Sequence, residues 1–69
     1  MTIETWTIYD HPRDWPNHFV ARRFEGETPT PEVLYSTDLD QLRMALLGRG
    51  LVPFARHQQD DPVIVETWL

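Results

Sequence analysis

One stretch constrains this chain more than any other: TDLDQLRMALLGRG, residues 37 to 50. Leu39, Leu42 and Leu46 fall at i, i+3 and i+7, the spacing of one apolar stripe on an α-helix. Thr37-x-x-Asp40 resembles a capping box with Asp in place of Glu. Asp38 and Asp40 stand in the first turn and Arg49 near the other end, as the helix dipole favours. Gly48 and Gly50 supply termination. The pattern predicts one helix over 38–48, with Met44 opposite the stripe, either exposed or in a contact. No other segment repeats this period, so a single helix must roof everything else.

The remainder reads as strands and turns. Residues 2–9 are rich in Thr, Ile, Trp and Tyr, which suit a pleated surface, and alternation turns Trp6 and Ile8 to the core. Pro12 and Pro16 end that strand and push His11 and Trp15 toward extended geometry. Residues 18–25 return antiparallel, and the neighbours Arg22 and Arg23 point to opposite faces. Gly26 to Glu32, GETPTPE, reads as a proline-stiffened linker, and 33–35 as a short third strand. Residues 51–56 form a strand that Pro53 confines to a sheet edge. HQQDDP, 57–62, is a polar turn. Residues 63–69 form the last strand, with a VIV run that suits burial on both faces.

The expected fold is α+β: a small, mainly antiparallel sheet in the order β-β-(β)-α-β-β. It has four strands, or five if 33–35 pairs, and the helix packs on one face. At 69 residues the chain makes a single domain, 1–69, with one core. A core of this size supplies only ~3–5 kcal/mol of net stability. The chain has no cysteine, so packing and self-association are the staples left, and a homodimer enters the expectation. ETW occurs twice, at 4–6 and 66–68. Two tryptophans and Tyr9 exceed what one small core is expected to enclose, which leaves aromatic surface on the sheet face away from the helix.

Composition excludes some chemistry. Net charge is −5 and all six cations are arginine. Phosphate-driven binding is therefore disfavoured, and without lysine there is no Schiff base and no P-loop. The start, MTIETWTIYD, has no basic region, and no apolar run nears the ~20 residues that span a bilayer. A cytoplasmic protein without membrane contact is the expectation. The lone serine, Ser36, is explained by helix capping. His11 and His18 are seven apart across a loop, a spacing that gathers no metal. Asp60 and Asp61 read as solvated turn acids. No catalytic residue, metal site or cofactor is assigned, and an enzyme is not expected.

What is left is the crowded stretch YDHPRDWPNHFVARRF, 9–24. In it Asp10 and Asp14 are expected to tie turn amides, and Trp15 to anchor the loop as a lid at the sheet end. His11, Arg13, Trp15, His18, Arg22 and Arg23 form the candidate binding group. The expected role is a non-enzymatic, adaptor-type module that binds protein, either itself or another chain. The alternative is a nucleic-acid accessory protein using Arg13, Arg22 and Arg23 with Trp15 and Phe24. A small hydrolase or metal-binding protein is the remote third.

The same stretch, followed by PTPEVLYSTDLDQLR and a terminal DDPVIVETWL, resembles a group of short bacterial and phage-associated proteins of unknown function. Their pattern, YxxPxDxPxxFVAR then DDPxIVExW, covers nearly the whole chain. The resemblance implies a compact stand-alone domain and brings no substrate, cofactor or catalytic residue.

Overall fold

The structure, a computed structural model, describes residues 3–54 and 64–69. In chain order its elements are β1 (Glu4–Asp10), β2 (Phe19–Glu25), β3 (Thr28–Ser36), α1 (Leu39–Gly48), β4 (Pro53–Phe54) and β5 (Ile64–Trp68). The strands form one sheet in the order β3-β2-β1-β5-β4, and every neighbouring pair is antiparallel. The expected α+β architecture is the one observed. β3 and β4 are opposite edges, so the connection that carries α1 must cross the whole sheet. A helix of 10 residues is about 15 Å long, and five strands span ~19 Å, so one helix of this length suffices.

The helix is set one residue later than its sequence suggests. Asp38, not Thr37, is the N-cap, and its side chain accepts the Asp40 N–H at 3.0 Å. Ser36 Oγ accepts the Asp38 N–H at 3.0 Å and donates to Gln41 Oε1 at 2.9 Å, which accounts for the only serine. At the other end the Gly50 N–H reaches Leu47 O at 2.9 Å and the Leu51 N–H reaches Leu46 O at 3.2 Å. That is a Schellman closure. It needs the left-handed φ of +84° that Gly50 supplies, and it returns Leu51 against the core.

Alternation turns Trp6, Ile8, Ala21 and Trp68 to the helix, where they meet Leu42 and Leu46; each of the six is at most 2% exposed. The expected surplus of tryptophan is thus corrected. Trp6 and Trp68 pair across β1 and β5, and both lie under the helix. Both belong to the same buried cluster, so one core encloses both. Leu39 packs on the cluster from the helix, and Met44 is 70% exposed. The VIV expectation also changes: Ile64 and Val65 are half-buried. A register shift opposite Ile8 and Tyr9 lets Val65 pack on the core. Val63, residues 55–56 of the fourth strand and the 57–62 turn lie outside the described residues.

GETPTPE is not a linker. Gly26 and Glu27 form a two-residue hairpin between Glu25 and Thr28, with Gly26 at φ +61°, as a type II′ turn requires. β3 then runs nine residues through Pro29 and Pro31. It tolerates both because it is an edge strand and because it bulges there. Thr30, Pro31 and Glu32 together oppose Arg23. The Thr30 hydroxyl donates to Arg23 O at 3.1 Å, supplying a donor that a proline lacks.

Candidate docking surface

The sheet has a second face. Register places Thr5, Thr7, Tyr9, Val20, Arg22, Phe24, Val33, Tyr35 and Thr67 away from α1. Among the described residues no helix or strand lies over it.

At one end of that face stands the loop of residues 11–18. The His11 N–H reaches His18 O at 3.1 Å, the Trp15 N–H reaches Pro12 O at 2.9 Å and the His18 N–H reaches Trp15 O at 3.2 Å. These are two successive turns closed at their base, with Pro16 in the position of the second turn that favours it. The loop amides are thus tied by carbonyls. The expected roles of Asp10 and Asp14 are corrected: Asp10 meets the His11 imidazole, and Asp14 pairs with Arg22. His11 is not extended. Its φ is +50°, a left-handed turn that starts the loop, and its ring lies edge-on to Phe19, 4.9 Å between centroids.

Trp15 anchors the loop at this end of the sheet. It stacks on Tyr35 with centroids 4.5 Å apart and planes 25° from parallel. His18 stands edge-on to both, at 5.7 and 5.6 Å. Between Tyr9 and Tyr35 in the ladder, Val20 has no exposed surface. Burial raises the Tyr9 phenol above 10.0, and Arg22 opposes that shift. Asp14–Arg22 and Trp15–Tyr35 therefore fasten the loop over this end at two points.

The six candidate residues do not form one group. Trp15, His18 and Arg22 gather on the far face. His11 turns to the helix side beside Phe19. Arg13 is exposed, with no ion pair among the described residues. Arg23 lies on the helix side within a cage of Glu4 at 3.5 Å, Glu25 at 3.0 Å and Glu32 at 3.4 Å. Burial lowers its pKa, but the Glu25 hydrogen bond and the three acids raise it further. The arginines that the nucleic-acid reading grouped are thus split between faces, and two of them are neutralised.

Tyr35 is the member that sequence reasoning passed over. Alternation against core-facing Leu34 could have placed it. The other end of the face was also missed. Val52 and Leu69 exchange both backbone hydrogen bonds, at 2.9 and 3.0 Å, which extends the β4–β5 ladder one step. From Val52 and Leu69 the row continues through Thr5, Phe24 and Pro29. Val52 is 59% exposed and Leu69 41%.

Among the described residues no cluster of three His, Asp or Glu side chains could hold a metal, and no helix is long and apolar enough to cross a membrane. What the arrangement offers is a fixed, weakly charged surface of aromatic, aliphatic and hydroxyl groups. No family model, curated protein or solved structure matches this chain.

Proposed function

We propose that this chain is a small non-enzymatic binding module that docks a protein partner on the sheet face opposite the helix. One observation carries the reading: the Trp15–Tyr35 stack and the Val52–Leu69–Phe24 row share a face that no described element covers. Aromatic and aliphatic surface gathered on one side of a small domain suits a protein interface. A pre-fastened loop keeps the ordering cost of docking low. The nucleic-acid alternative has less support, because Arg22 and Arg23 already pair with acids on opposite faces.

Site-specific photo-cross-linking in cells tests this. A photoreactive side chain at position 7, mid-face, should yield defined adducts. The same group at position 44, on the outer helix surface, should yield none. Adducts at position 44 alone, or at neither position, overturn the proposal.

A further inference from the structure

Resting on that reading, we infer that the partner on this face is a second copy of this chain, docked about a two-fold axis through the threonine row Thr67–Thr7. Three observations lead there.

The first is the shape of the face. One end is raised by Trp15 stacked on Tyr35. The other is a low apolar row, Val52, Leu69 and Phe24, with Ile3, 64% exposed, beside it. Between them lies the row Thr67, Thr7 and Arg22. A two-fold lying in the plane of the sheet and crossing that middle row diagonally sets each raised stack, at the β3 corner, on the partner's Val52–Leu69 corner. A surface with complementary ends about a neutral centre is what an isologous interface requires.

The second is charge. Every described acid except Asp14 stands on the helix side, on α1 or its cap, or in the β2–β3 turn, and Asp14 is balanced by Arg22. In a chain of net charge −5, two copies repel on every approach that joins helix sides. Among the described residues, the far face is the side on which they meet with least of that cost.

The third is area. Five strands span ~19 Å and seven residues of β1 or β2 about 23 Å, a footprint of roughly 400 Å². Roughened by side chains, it nears the ~600 Å² per partner at the small end of specific interfaces. The dimer is therefore small, and its association weak and reversible.

Sedimentation equilibrium of the full chain, from low micromolar to about a millimolar, reads this directly. Wild type should fit a monomer–dimer equilibrium. Thr7→Glu places two like charges at the axis and should weaken it at least tenfold. Val52→Glu should do likewise, and because Val52 is 59% exposed in the monomer it tests the interface even if Thr7→Glu disturbs the fold by circular dichroism. Met44→Glu, on the outer helix surface, should leave the equilibrium unchanged. A wild type monomeric throughout, a dimer that Val52→Glu leaves intact, or a dimer that Met44→Glu weakens equally would overturn the inference. A monomeric wild type whose position-7 adducts exceed twice the mass of the chain removes the second copy and leaves the docking surface standing.

Discussion

At the scale of single residues, the repeated ETW has a physical meaning that is not a duplicated domain. In a strand, positions i and i+2 share a face, so each tryptophan can reach the glutamate two before it. Trp6 Nε1 donates to Glu4 at 2.6 Å, and Trp68 Nε1 to Glu66 at 3.0 Å. Each acid is then held by an arginine from another element: Glu4 by Arg23 of β2, Glu66 by Arg43 of α1 at 2.8 Å. Arg49 at the helix C-cap lies over the Trp6 ring, 4.9 Å from its centroid. Both indoles are thereby buried with their N–H groups satisfied, which is what allows two in so small a core. The Trp6 hydrogen bond chiefly holds the Glu4 carboxyl below its ordinary 4.5; burial opposes the shift and Arg23 supports it. A depressed carboxyl stabilises the fold above its unfolded value, and that contribution disappears as pH falls through the folded value. Glu4→Gln should therefore lose stability near neutral pH and lose less than wild type on acidification below about 4.5. Urea midpoints at pH 7 and pH 3 check this, and equal differences at both pH values would show that the Glu4 charge is not what holds Trp6.

At the scale of elements, the helix, the first two strands and the edge position of Pro53 were legible because each is written in local periodicity. The misses have local causes too. The cap slipped by one residue because Thr37 and Asp38 are both good caps, and the choice between them follows from Ser36 binding the Asp38 amide. β3 was hidden because prolines signal a break, while an edge strand with a bulge can carry two. That the loop of residues 11–18 is a connection anchored by Trp15 at the sheet end is legible in its prolines and its tryptophan; what it is anchored on is not. Its direction depends on Tyr35 and Arg22, partners that lie across the sheet and that no local pattern announces. Those partners set the next expectation. Trp15→Ala removes an aromatic stack worth ~0.5–1.5 kcal/mol beyond its buried area and should destabilise the fold by about 1–2 kcal/mol. Arg13→Ala removes an exposed side chain with no described ion pair and should stay within ~0.5 kcal/mol. Thermal unfolding followed by circular dichroism separates them, and the reverse order would mean that Arg13, not Trp15, fastens the loop.

At the scale of the whole molecule, stability is concentrated on one side. Among the described residues, six of the seven buried apolar side chains form the cluster beneath α1, and Val20 lies on the other face. The chain has no cysteine for a disulfide, and among the described residues there is no second helix and no metal cluster to share the load. The helix also joins the two edge strands β3 and β4, so loosening it frees both edges at once. Leu46 sits at the centre of this arrangement: it is fully buried, it faces the tryptophan pair, and its carbonyl accepts the Leu51 N–H that closes the helix. Leu→Ala at such a site costs ~2–5 kcal/mol, against a net stability of only ~3–5 kcal/mol for a core this small. The two are the same size, so Leu46→Ala should leave much of the protein unfolded at 25 °C in dilute solution. Far-UV circular dichroism and a red shift of tryptophan emission report it, with Met44→Ala, on the exposed side of the same helix, staying within ~0.5 kcal/mol of wild type. A Leu46→Ala protein that melts cooperatively within a few degrees of wild type would place the stability elsewhere than under the helix.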